Sequence, residues 1–197
     1  MVIIKKLAFL LILIGIGFIS FGGYQFLSTK AAEEKSLNEA KELLGKTNFS
    51  EEKQTTSTNE QTFHTNKGET VGILEIPRLN AELPIVEGTD PDELEKGVGH
   101  YFDSAYPKQD NQIVLSGHRD TVFRGIGDVK VGDILTLKLP YGNFTYEMVS
   151  SKIVDADDTT VIKPTSPDEE LILTTCYPFS FVGDAPERYI ITAKPIY

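Results

Sequence analysis

The sequence predicts an all-β domain, a barrel or sandwich with short helices, preceded by one N-terminal transmembrane helix. Three observations carry this reading. An uncharged apolar run stands near the N-terminus, a polar stretch poor in core-forming side chains follows it, and seven or eight short β-branched runs divided by Gly, Pro, Asn and Asp fill the rest. At 197 residues the chain allows one domain of ordinary size plus extra segments.

The elements follow in order. Residues 1–6 read as a cytoplasmic N-terminus. Residues 7–27, "LAFLLILIGIGFISFGGYQFL", contain no charge over 21 residues, and as a helix they span roughly 31 Å, enough to cross a bilayer core. Lys5 and Lys6 just before the run favour a cytoplasmic N-terminus and an exported remainder. The length favours a retained anchor over a cleaved signal peptide, whose apolar region is shorter, about 7–15 residues. Residues 28–67 offer Leu37, Leu43, Leu44, Phe49 and Phe63 as nearly their only large apolar side chains. A segment that buries so little does not offset its ordering entropy and reads as an extracellular stalk. Within it, Ala31–Leu44 is rich in good helix formers and reads as a helical turn or more.

From residue 68 the strands begin. "VGILEIPRL", "AELPIVEG", "NQIVLSGH", "DILTLKLP", "GNFTYEMVSSKIV", "EELILTTC" and "ERYIITAKPI" are each bounded by turn residues. Between the second and third, "DPDELEKGVGHY" carries the one clear helical turn, with Asp90 or Asp92 able to cap it. Residues 68–197 hold 11 basic and 22 acidic residues, a net of −11. So acidic a domain lacks the clustered cations that nucleic acid requires, and nucleic acid is excluded as a partner.

Cys176 is the single cysteine. It closes the apolar run "LILTTC", so a strand delivers it to a surface. An unpaired thiol in an exported protein points to a reactive one, but with a reference pKa near 8.5 it needs a base or a cation to act at neutral pH. Of three histidines, His64 lies in the stalk. His118 ends the strand "NQIVLSGH" and is the better base, while His100 in "GVGHY" reads as structural at a strand start. If the strands flanking "CYPFSFVGDAPER" pair as a hairpin, Cys176 and Arg188 face each other across its two arms. A guanidinium there favours thiolate and offers donors to a developing oxyanion.

These segments together, "LSGHRDTVF", "LILTTC" and "APERYIITA" in this order behind a single anchor, resemble the sortases, and "GHRDT" with "CYPFSFVGDAPERY" is most similar to class D. The resemblance covers about Gly68 to Lys194. It implies an eight-stranded sortase-type β-barrel and a membrane-anchored cysteine transpeptidase. Such an enzyme cleaves an LPxTG-like sorting signal through a thioester and passes the surface protein to an amine of a peptidoglycan precursor or the cell wall. The family's nucleophile falls on Cys176, its catalytic His on His118 and its Arg on Arg188. Its Thr-Leu-x-Thr-Cys pattern reads here from Ile172 to Cys176, with Ile172 departing from the expected Thr. Thr175 in that pattern, with Val161, Ile162 and Pro164 in the connection before the Cys strand, are the expected substrate-binding residues. No cofactor is required and no zinc-like ligand spacing is present. In some sortases calcium orders the connection that here carries Asp157, Asp158, Asp168, Glu169 and Glu170; a solvated acidic loop is the favoured reading and a calcium site the alternative. A noncatalytic sorting-signal binding protein and a peptide hydrolase on the same scaffold stay open as alternative functions.

Overall fold

The computed structural model describes residues 2–48, 63, 65–180 and 183–196. The predicted strands appear with boundaries close to those expected. β1 (Thr70–Ile76), β2 (Ala81–Glu87), β3 (Val98–His100), β4 (Gln112–Ser116), β5 (Ile134–Leu139), β6 (Gly142–Asp155), β7 (Glu170–Tyr177) and β8 (Glu187–Pro195) close into a barrel in the order β1-β2-β3-β4-β7-β8-β6-β5. A short helix, Pro91–Leu94, lies between β2 and β3.

Alternation explains both sides of the wall. Ile113, Leu115, Leu171, Leu173 and Ile191 point inward and fill the barrel with Phe123, Leu135, Leu137, Tyr146 and Met148, all nearly inaccessible. The residues between them, Val114, Ile172 and Ile190, point outward and form a second apolar cluster roofed by Tyr101, Val154 and Val161. Closure of the sheet needs Gly72. A Cβ there would lie 2.3 Å from the Lys138 carbonyl and 2.6 Å from Leu139, so β1 approaches β5 closely only because the side chain is missing.

The segment before residue 68 has structure of its own. Over its described part the stretch from residue 28 is helical, as expected for Ala31–Leu44 and beyond it, because α1 runs unbroken from Val2 to Asn48. It is long and apolar enough to cross a membrane, yet beyond the apolar run it packs on the barrel. Ser36 and Ala40 are buried, and Lys41 pairs with Glu82 at 2.8 Å. Its docking face is made of small side chains, which a search for large apolar residues passes over. The barrel's packing also begins before residue 68. Phe63 sits edge-on to Tyr106 with centroids 4.9 Å apart, and the Thr65 hydroxyl donates to Glu87 at 2.9 Å. The rest of the expected stalk, residues 49–62 and His64, lies outside the described residues.

Candidate active site

Three strand ends build the site. β7 and β8 pair antiparallel with Cys176 directly opposite Arg188, which is the expected hairpin. β4 and β7 pair in parallel, from Gln112↔Glu170 to Ser116↔Thr174. Two residues beyond that last pair along each chain stand His118 and Cys176, at neighbouring strand ends. Parallel pairing is what brings both strands to their ends on the same rim.

The adjacency persists past the last ladder pair. Gly117 N–H donates to the Thr174 carbonyl at 3.1 Å, and the Thr175 hydroxyl donates to the Gly117 carbonyl at 2.7 Å. Cys176 and Arg188 share the outward parity of Ile172 and Ile190, so the thiol opens on the outer face of the wall. Cys176 is half-buried there.

His118 is held by the turn it begins. Its carbonyl accepts Phe123 N–H at 3.0 Å and Thr121 N–H at 3.4 Å, while Phe123 is fully buried. A Cβ on Gly117 would come within 2.7 Å of the Phe123 ring, so this turn requires glycine. Arg188 directs Nη1 at the carbonyls of Ala185 (3.1 Å) and Glu187 (2.9 Å), which keeps the guanidinium at the loop end of the hairpin.

The expected substrate contacts divide. Thr175 is buried and faces the barrel interior, so it ties the Cys strand to the His strand and does not line a groove; the inward parity of its position is the reason. Val161 lies against Val114, Ile172 and Ile190, in the outer cluster whose Ile190 stands opposite Thr174, two residues along the ladder from the Cys176–Arg188 pair. Ile162 and Pro164 line a separate cleft of about 250 Å³ with Tyr101, Asn111 and Gln112, near the opposite end of β4. Gln112 fixes this connection, donating to the Val161 carbonyl at 3.1 Å and accepting Lys163 N–H at 3.0 Å.

Sequence reasoning missed three features. Tyr177, Phe179 and Tyr189 pack together beneath the site, and Phe179 covers Gly127 so closely that a Cβ there would be 2.6 Å from its ring. Arg119, next to His118, donates to the Gly183 carbonyl at 3.0 Å and so joins the loop after β4 to the loop after Cys176. Only the aromatic-rich "CYPFSF" signalled any of this in the sequence.

The acidic loop has other uses for its oxygens. Glu169 accepts from Tyr146 (2.7 Å) and from Lys108 N–H (2.6 Å). Asp158 caps the turn at Thr160, and Glu170 pairs with Lys194 at 3.0 Å. Among the described residues no group of three or more His, Cys, Asp and Glu side chains converges as metal ligands. His100 is remote from the rim and buried. Its Nδ1 lies 3.1 Å from both Glu87 oxygens, and its Nε2 lies 3.0 Å from the Ala105 carbonyl and 3.1 Å from the Ser104 hydroxyl, so both ring nitrogens are partnered.

Comparison with known proteins agrees with this architecture. A sortase domain model matches residues 74–196. The chain is 51% identical over 199 residues to sortase D of Bacillus subtilis, covering 98% of each. Two solved structures share the fold: a Clostridium perfringens sortase D5 transpeptidase, 24% identical, TM-score 0.69, covering 85% of this chain and 99% of that one; and C. perfringens sortase C with the C-terminal cell wall sorting motif, 23% identical, TM-score 0.62, covering 91% and 99%. The chain belongs to the sortase family, cysteine transpeptidases built on a closed eight-stranded barrel. Within the family its likeness is to class D.

Proposed function

We propose that Cys176 is the nucleophile of this sortase, His118 its general acid and base, and Arg188 its electrostatic clamp. The single observation that supports the assignment is the register, in which the β4–β7 and β7–β8 pairings bring the three residues to one rim. The Cys176 thiolate attacks the scissile carbonyl of an LPxTG-like signal, and the C=O electron pair moves onto oxygen beside Arg188. Collapse expels the amine, which takes its proton from His118, and leaves a thioester. An amine of a peptidoglycan precursor or the cell wall then attacks, gives a proton to His118 and releases the thiolate. Nothing in this sequence of steps needs a cofactor. Val161, above the apolar strip of Val114, Ile172 and Ile190, offers the surface for the Leu-Pro part of the signal.

The same reading places residues 7–27 in the membrane, residues 1–6 in the cytoplasm and the barrel outside. The Lys5–Lys6 flank supports that orientation. The substrates are then surface proteins carrying a C-terminal sorting signal.

Mass spectrometry of the full chain with peptides varied around LPxTG, with and without amine acceptors, tests the proposal. The expected result is a thioester on Cys176 that passes to the amine, absent in Cys176→Ala. Release to water alone, whatever amine is supplied, would make the protein a hydrolase. Binding without cleavage would make it a sorting-signal receptor.

A further inference from the structure

α1 reaches the barrel as a rigid continuation of the apolar run. Ser36 and Ala40 are buried, and Ala32, Leu37, Leu43 and Leu44 are half-buried, at the three- and four-residue spacing of one helix face. Ala32, Ser36 and Ala40 are small, which lets the helix lie close against β1 and β2. Polar ties frame the stripe: Lys41 with Glu82, and the Thr70 hydroxyl donating to Glu39 at 3.2 Å.

The direction of this docking decides which end of the barrel faces the apolar run. Phe21, Tyr24, Phe26 and Lys30 share a cleft of about 680 Å³ with Glu95, Asp120, Thr121 and Arg124. Asp120, Thr121 and Arg124 belong to the loop that follows His118. At the other end of the helix, Glu39 to Lys46 stand beside Gly68–Thr70, the start of β1 and the end of the barrel remote from Cys176. Between Leu27, where the uncharged run stops, and Glu39 the helix rises about 18 Å.

Resting on the anchoring proposed above, we infer that α1 holds the barrel with its catalytic rim on the outer phospholipid headgroup layer, and its opposite end pointing away from the membrane. Tyr24 and Phe26 then lie at the interfacial depth that aromatic side chains favour. The cleft is mixed in charge, with Lys30, Arg124, Glu95 and Asp120 all in its lining, and the exported domain is acidic overall. Helix docking imposes the contact with lipid, so it does not depend on attraction to anionic lipid. Both the scissile peptide and the amine are accordingly met at the bilayer surface.

The chain has no tryptophan, so one introduced residue reports alone. Asp120→Trp on the rim and Asn143→Trp at the remote β5–β6 turn are each reconstituted as the full chain in phosphatidylcholine vesicles containing a headgroup-nitroxide lipid. Asp120→Trp is expected to be quenched several-fold more than Asn143→Trp, with little change in high salt. Equal quenching in vesicle-integrated protein overturns the inference and leaves the anchor reading intact. Failure of the chain to stay with the vesicles through an alkaline wash overturns the anchor reading, and the inference with it. Adding Ala40→Glu, or Ser36→Glu as a second way to undock α1, should lower the Asp120→Trp signal to the level of the remote reporter, with the barrel's circular dichroism unchanged. Undiminished quenching in a folded, undocked variant shows that α1 does not set the pose.

Discussion

Thr175 and Glu87 show how much a single buried oxygen can control. Thr175→Val keeps shape but strips the Gly117 carbonyl of its donor, at about 1–3 kcal/mol for a buried group left unmatched. Because that bond aligns the His118 and Cys176 strands, the variant should lose about ten- to a hundredfold in kcat with little change in KM, read from steady-state transpeptidation. Burial alone would raise the Glu87 carboxyl, but the hydrogen bond from His100, its charge, and the Tyr106 and Thr65 hydroxyls outweigh it and hold the group below its ordinary value of 4.5. A carboxyl depressed in the folded state stabilises above its unfolded value and loses that contribution as pH falls through the folded one. Glu87→Gln should therefore lower Tm at pH 7 and flatten the fall of Tm below about pH 4.5, as thermal melts across that range would show. Cys176, His118 and Arg188 were legible as residues because each closes or opens an apolar strand. The inward orientation of Thr175 was not, since alternation fixes which residues share a face but not which face is the interior.

At the scale of elements, Gly72→Ala is the sharpest test of barrel closure. Its Cβ would collide with the Lys138 backbone, which cannot rotate away, and a cost of about 1–3 kcal/mol in urea denaturation is expected. Gly45→Ala in α1, where a Cβ meets nothing within 4 Å, should be neutral or stabilising by up to about 1 kcal/mol. The long strands were legible because their β-branched runs end in Gly, Pro or Asp. β3 was harder, with only Val98–His100 to show and a glycine in the middle. The docking of α1 on the barrel was missed because it buries Ala and Ser, whose small apolar area carries little signal in composition.

For the whole molecule, the packing of Phe63 and Thr65 on the barrel predicts a difference between soluble fragments. One beginning at residue 63 should be more stable than one beginning at residue 68 by about 2 kcal/mol, the worth of a partly buried aromatic ring and one hydrogen bond. Denaturant melts of the two fragments decide it, and equal midpoints would show that the segment adds nothing. Long-range placement of this kind is absent from local pattern, because Phe63 and Thr65 contact Glu87, Tyr106 and Tyr141, which belong to other parts of the chain.

The parallel pairing of β4 with β7 has a consequence for how such an enzyme can diversify. The proposed base and nucleophile stand just past the end of one shared ladder, so the connection between β6 and β7, residues 156–169, can lengthen, shorten or change composition without moving either group. Chemistry and specificity are thereby written in separate stretches of sequence, and selection can revise the second while the first stays fixed.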